Sequence, residues 1–547
     1  MLGSIRICSG IELGDVSRSA APTYDYIIVG GGTAGCCLAS RLSEDPNVTV
    51  LLIERGGVAD TWANTVPLIS SNIFKKDGIA KPLDSEPQKH ADDRVIALMR
   101  GQALGGTSRV NGMAYTRDVA ADFNRWRDMG HPDWSYEKML PFFVKSEAAL
   151  SHPDSKFRGK KGPWVNQTFP HAKEAAKSFG IPFYPDCNDP SLPSISCAPI
   201  DITVNQNMRR CSTYSAFLPP PLARSRKDRL KICTDTVAER LVFSHNSEGR
   251  PRATGVEFGH RDGTGVSYFA KARKEVVVSC GALESAQLLL LSGIGPANHL
   301  KSYGIEVVLD NPGVGNNLKD HVDVPVMWNI PLGESIHVIL EKPWRACAEL
   351  FKYLLSRKGV FSDPFVHEAI FLPSRFLNLD ATLPKNRPDL EIKPMPIYGM
   401  DPPRNATTVH VKEGVMNFMV CLLQPKSSGF VRLNSPDPYD KVKCDLGMLS
   451  DPEDIAILTK GVRLSLNLAE QIQAQGYPIK TYHRPSSDPD ADIETYIRAY
   501  ARSGYHYSST CWMAPFDSTH LAHPMAPIVA IAEKCAWSIR SAQFKSK

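Results

Sequence analysis

Residues Tyr24 to Gly57, YDYIIVGGGTAGCCLASRLSEDPNVTVLLIERGG, constrain this chain more than any other stretch. Ile27, Ile28 and Val29 form a short apolar run, the pattern of a parallel strand buried on both faces. Gly30, Gly32 and Gly35 follow as G-x-G-x-x-G. In that spacing the first glycine makes the tight turn. The second lets backbone approach a pyrophosphate, and the third lets the helix pack on the sheet. The helix beginning after Gly32 offers free N–H groups and a positive dipole end to phosphates. Val48 to Ile53 predicts the second strand. Glu54 at its end, 19 residues after Gly35, is placed to accept ribose hydroxyls. Strand, turn, helix, strand and acid together point to a dinucleotide site. The competing reading is a glycine-rich turn in some other α/β protein.

A chain of 547 residues exceeds what one core usually fills, so two domains are expected, interleaved or in series. Its 42% hydrophobic and 22% charged residues are ordinary for a soluble globular enzyme. A net charge of +5 with dispersed lysines and arginines argues against nucleic acid as a partner. The 13 cysteines contain no C-x-x-C, so neither a metal site nor a dithiol motif is expected. An odd cysteine count, with no signal-peptide core in the first 21 residues, fits an intracellular protein with mostly free thiols. No run of 18 apolar residues is present, so no membrane span is predicted.

Residues 1–22 read as a leader. An irregular stretch to about Lys89 fits a loop or lid. The segment RGQALGGTSRVNGMAYTR, residues 100–117, brings Gly101, Gly105 and Gly106 close together, as where backbone passes near a ligand. Ser108 and Asn111 there are candidates to bond flavin or phosphate oxygens, but a glycine-rich loop without a ligand explains the pattern equally well. Asp122–Asp128 and Tyr136–Leu150 predict helices, the second capped by Ser135. Residues 151–200 read as long loops. Leu230–Val242 and Ala253–Phe258 predict strands. Glu275–Ser279 runs into GALESAQLLLLSGIGP as a second strand-turn-helix unit of the same sheet. Residues 331–500 change character and predict a separate domain of mixed sheet plus helices, including a long helix over Asp451–Gln473. The expected division is therefore 1–22, 23–330, 331–500 and a return over 501–547.

Several of these segments resemble the glucose–methanol–choline (GMC) oxidoreductase family of flavoenzymes. They are the G-x-G-x-x-G unit, the loop at 101–124, GALESAQLLLLSGIGP, PGVGNNLKDH at 312–321, PKSSGFVRL at 425–433 and DPEDIAILTKGVRL at 451–464. The resemblance is nearly collinear from Tyr24 to Ile539. Gln102, Asp118 and Ala286 depart from the usual signatures. The resemblance implies an α/β fold: a Rossmann-like FAD-binding domain in discontinuous pieces, with a mixed-sheet plus helix substrate-binding domain over the flavin. It implies FAD contacts from Thr33 and Ala34 beside the glycines, Glu54 and Arg55 at the ribose, and Val237 near the adenine. Asn111, Gly112, Met113 and Ala114 lie along the flavin, with Pro524 and Met525 completing the set. Some members attach FAD through a histidine beside the signature asparagine. Val110 stands there, so noncovalent FAD is expected.

The implied chemistry is oxidation of an alcohol to an aldehyde or ketone, in which a base takes the hydroxyl proton while hydride passes to flavin N5. Histidine titrates near neutral pH without much tuning. A lone histidine is more often a packed or surface residue. Here SGYHYSSTCWMAP puts His506 where the family has its base, and AHPMAPIVAIAEK puts His523 where it has its second group. Between them the family places a loop, a buried strand and a flavin contact, whereas here Pro515 leads through FDSTHLA directly to His523. The 506–523 step still spans about 55–60 Å at full extension, enough for both histidines to reach one site. A missing strand exposes unpaired backbone and predicts weak FAD binding. The expected substrate is an aryl, terpenoid or polyketide alcohol rather than a free sugar, with oxygen or a quinone or dye as acceptor. A family member that binds without turnover is the alternative. A nicotinamide-dependent reductase leaves the later signatures unexplained.

Overall fold

The glycine turn follows one of the two central strands of a six-stranded sheet. In the computed structural model, which describes residues 21–75, 78–168, 181–363, 366–377, 387–399, 411–486, 489–512 and 524–545, β1 (Thr23–Val29) leads through α1 (Thr33–Leu42) into β2 (Val50–Ile53). The two strands pair in parallel, and Ile27, Ile28, Leu51 and Leu52 are fully buried, as an apolar run covered on both faces requires. β3 (Leu230–Cys233) pairs with β2. The run predicted as one strand over Leu230–Val242 breaks at Asp235, whose φ is +55°. Its second part is β4 (Thr236–His245), which pairs with β5 (Pro251–His260). β6 (Ser267–Val278) serves both halves of the sheet. Its start is antiparallel to β5 and its end parallel to β1, giving the order β3-β2-β1-β6-β5-β4. α2 (Gly281–Leu291) follows β6.

β6 has an open side. It pairs with β5 only over Ser267–Lys271, and among the described residues nothing pairs with Glu275–Val278 on the side away from β1. Val276, Val277 and Val278 are half-buried, whereas Ile27 and Ile28 beside them are sealed. Residues 513–523, on which the expected loss of a strand falls, lie outside the described residues, as does the segment 1–20.

The second sheet is antiparallel. β7 (Val322–Ile330), α3 (Pro343–Ser356), β8 (Glu368–Leu372), β9 (Leu390–Met395), β10 (Gly414–Leu422), α4 (Pro452–Ala474) and β11 (Lys480–His483) follow in the chain. The strands align as β11-β7-β10-β9-β8, and Ser196–Pro199 extends the far edge. Residues 151–200, read as loops, therefore lend a strand to this sheet. The boundary expected at residue 330 falls at the end of β7. α4 lies across the sheet with Leu458, Val462 and Leu466 in the core, and Gly461 lets it approach Val420 of β10. Asp451 caps α4 by accepting the Glu453 N–H at 2.9 Å. β12 (Arg502–Ser503) pairs with the first residues of β7.

The chain then returns to the first sheet as α5 (Met525–Lys545). Ala526, Val529, Ala530 and Ala532 pack with Cys36, Cys37 and Leu38 of α1. The small side chains bring the helices close, and one ion pair fixes their register. Buried Glu533 accepts from Arg41 Nη2 at 2.6 Å and Nε at 2.8 Å, and Lys145 reaches it at 2.8 Å. Removing the carboxylate leaves mostly buried Arg41 with only the more exposed Glu44 as an ion-pair partner. Glu533→Ala is expected to lower unfolding free energy by about 2–3 kcal/mol. A denaturant titration showing a change below about 0.5 kcal/mol, within the range of ordinary surface substitutions, would contradict this docking role.

Candidate active site

A cavity of about 850 Å³ lies between the two sheets and is walled by both. Val29, Gly30, Gly32, Thr33 and Ala34 line one end. Gly30 has φ +96°, a conformation that favours glycine. A Cβ on Gly35 would collide with the Gly30 carbonyl, so Gly35 sets the helix-to-strand approach and lies behind the cavity wall. A Cβ on Gly106 would meet Gly32 Cα at 2.7 Å, so the second glycine loop closes directly against the first.

Glu54 lines the cavity and accepts the N–H groups of Gly31 (2.8 Å) and Gly56 (2.7 Å). Burial pushes its carboxyl up to about 7 despite these two bonds. Arg55, beside it in the wall, donates to the Pro438 carbonyl at 3.1 Å. Val237 is also in the wall.

Asn111, Gly112 and Ala114 line the middle of the cavity, and a Cβ on Gly112 would meet open space. Ser108 touches the cavity, but its hydroxyl donates to the Gly105 carbonyl at 2.6 Å and so braces the loop. Met113 differs from the other residues of its run. Its φ is +65°, which turns the side chain into a sealed cluster with Ile200 and Ile202, and it does not line the cavity. Buried Arg210 clamps the loop by donating to Asn111 Oδ1 (2.8 Å) and to the Asn111 carbonyl (2.6 Å). An isolated arginine in a loop offers no pattern from which this clamp follows. Pro524 and Met525 line the cavity at the start of α5, with Met525 Sδ 2.7 Å from Asn111 Nδ2.

The catalytic candidate stands where two extended segments run side by side. Val322–Asp323 pairs with Arg502–Ser503, and Lys319 bridges Ser508, so residues 319–323 lie antiparallel to 502–508. Gly504 is needed in this pair, since a Cβ there would meet His321 Cβ at 2.8 Å. His506 lines the cavity. Its N–H donates to Asp320 Oδ1 at 2.8 Å, and its Nδ1 lies 2.9 Å from Nδ1 of buried His321. Asp320 is buried and also accepts from the Ser503 hydroxyl. PGVGNNLKDH is a family-like segment, but nothing local to it gives Asp320 or His321 a role. Their adjacency to His506 is a long-range pairing across some 180 positions, which local pattern does not carry. His523 lies outside the described residues.

The wall opposite the glycines comes from the second sheet: Met395, Ile397, Tyr398 and Met419, with Asp323 and Lys393. Lys393 is buried and held by Glu391 (3.1 Å) and Asp323 (3.9 Å), which keep its ammonium charged.

Sequence comparison matches the GMC oxidoreductase family model over residues 24–323 and 425–522. The chain is a GMC oxidoreductase. It is 31% identical to the oxygen-dependent choline dehydrogenase of Rhizobium etli, over 93% of this chain and 89% of that one. It is 30% identical to an alcohol dehydrogenase [acceptor] of Pseudomonas putida, over 90% and 86%. A formate oxidase of Aspergillus oryzae has the same fold, with a TM-score of 0.84 at 23% identity over 96% of this chain and 99% of that one. GMC oxidoreductases bind FAD, and the residues here fit that group. The mutually closed glycine loops leave a backbone cradle, Gly112 leaves room beside it, and the cavity is long enough to run from Glu54 to His506. No helix among the described residues is long and apolar enough to cross a membrane.

Asp320 connects this site to pH. Burial pushes its carboxyl up to about 7 from an ordinary 3.8. Between about pH 4 and pH 7 the folded chain therefore holds a proton that the unfolded chain has released, so stability falls as the pH rises through that window and the full cost is carried above about pH 7. Asp320→Asn is expected to raise the melting temperature of the FAD-free protein at pH 8, with a gain that shrinks as the pH falls towards 5. A gain independent of pH would contradict the assignment.

Proposed function

We propose that this GMC oxidoreductase oxidises a hydrophobic primary or secondary alcohol to an aldehyde or ketone, with His506 as the base. The observation that carries the reading is the His321–His506 contact at 2.9 Å, held beside the cavity by Asp320. Only one proton can lie between the two Nδ1 atoms. When it sits on His506, Nε2 of His506 keeps its lone pair and can accept a hydroxyl proton. FAD, when bound, supplies the hydride acceptor. The chain's own residues orient the alcohol, take its proton and keep the imidazole in one tautomer. His321 is the positioning residue for that last task, and Asp320 holds the His506 backbone in place beside it.

The apolar wall of Met395, Ile397 and Met419 favours an aryl, terpenoid or polyketide alcohol over a sugar. Val110 beside Asn111 supports noncovalent FAD. His523 is proposed as the second group at the alcohol oxygen. We assign residues 23–330 and 501–547 mainly to FAD and 331–500 to the substrate. The open side of β6 favours one other reading, a family member that binds but does not turn over.

A panel of hydrophobic alcohols with added FAD separates these readings. His506→Ala is expected to lower flavin reduction by roughly 10²–10⁴-fold with FAD still bound. His321→Ala is expected to lose less and to shift the pH profile. Turnover unchanged in His506→Ala would refute the assignment of the base. Turnover of glucose but of no hydrophobic alcohol would refute the substrate class.

A further inference from the structure

α3 (Pro343–Ser356) carries apolar residues on both faces. One face is accounted for: Tyr353 is fully buried and, with Leu350, packs in a cluster with Val66, Leu68 and Phe361. The other is not. Trp344 is 61% exposed, Phe351 64%, Leu354 46% and Leu355 71%. At about 100° per residue these four fall within an arc of about 120°, shared with Cys347 and Ala348. A surface helix normally turns charged or polar residues outward, and an apolar patch of this kind marks an interaction surface.

The charges around the patch decide what it fits. Lys342, Arg345, Lys352 and Lys358 are exposed beside it, with Arg357 at the helix end. Of the nearby acids, Glu349 accepts the Val360 N–H at 3.1 Å and lies 3.8 Å from Lys352 Nζ, and Glu341 accepts the Val411 N–H at 3.0 Å, so cations outnumber acids around the patch. Arg345 lies over the Trp344 ring at 4.7 Å, with the charge at the border of the apolar face. A second copy of this chain would bring the same cations face to face. An anionic bilayer would complement them.

We propose that α3 docks the protein on an anionic phospholipid surface. Trp344, Phe351, Leu354 and Leu355 enter the headgroup–acyl boundary, and the flanking lysines and arginines meet the headgroups. This is the arrangement of an in-plane amphipathic helix, which binds by buried apolar area plus attraction to anionic lipid. The buried face of α3 leads towards the cavity: Leu68 and Ile69 pack under it, and Ser71 and Ile73 just beyond line the cavity wall. The proposal does not depend on the substrate assigned above.

Co-sedimentation of the full chain with vesicles tests it. Phosphatidylcholine vesicles with about 30% phosphatidylserine are expected to bind the protein, and pure phosphatidylcholine far less. Phe351→Glu/Leu355→Glu is expected to weaken binding roughly tenfold or more. Arg345→Ala/Lys352→Ala is expected to weaken it by a similar factor on the anionic vesicles alone. Unchanged melting temperatures show that the variants are folded. Equal binding to both vesicle types, or no loss in Phe351→Glu/Leu355→Glu, overturns the proposal. So does a dimer in sedimentation velocity that Phe351→Glu/Leu355→Glu dissociates while vesicles bind nothing.

Discussion

The site depends on the antiparallel pairing of residues 319–323 with 502–508. That pairing places Asp320, His321 and His506 within hydrogen-bond reach of one another, although the two segments are far apart in sequence. The Asp320 carboxylate fixes the backbone of His506, and the His321 ring fixes its imidazole. Gly504 is what lets the strands approach, since any side chain there meets His321. Without this pairing His506 would not be held beside the cavity.

The cavity itself is a product of how two sheets are joined. The first sheet ends its central strands in glycine turns, which leave backbone instead of side chains at one end. The second sheet supplies side chains at the other end: apolar Met395, Ile397 and Met419, with Tyr398, Asp323, Arg502 and the ion-paired Lys393. α5 ties the ends together, carrying Pro524 and Met525 into the cavity while Glu533 anchors the helix to Arg41. The open side of β6 borders the same space: Val277 and Val278 line it and are half-buried. Among the described residues no strand pairs with β6 on that side, and an unpaired strand edge beside a cofactor cradle leaves N–H and C=O groups to water.

Much of the fold was legible locally. The run Ile27–Val29, the glycine spacing and Glu54 specify a strand-turn-helix-strand unit because each element depends on near neighbours. Asp451 before an amphipathic run gives α4 its start for the same reason. What local pattern missed was decided at long range. Leu230–Val242 has strand composition throughout, yet Asp235 takes a left-handed φ and splits it between two pairings. Ser196–Pro199 looks like loop and becomes a strand because β8 offers it an edge. In the site, the glycine loops and His506 stood out by motif. Met113 was included by its place in a run, and only its backbone conformation shows that it points away. Asp320, His321 and Arg210 act through partners about 100 or more positions distant, a relation that composition and spacing do not encode.

The central claim is that the glycine cradle and the histidine pair form a working flavin site although, among the described residues, nothing pairs with one side of β6. Titration of the FAD-free chain with FAD, read by flavin fluorescence, tests it most directly. The account predicts saturable, equimolar and reversible uptake, with FAD lost on gel filtration and released intact when the protein is denatured. Absence of saturable uptake, or flavin that stays with the denatured chain, would contradict it.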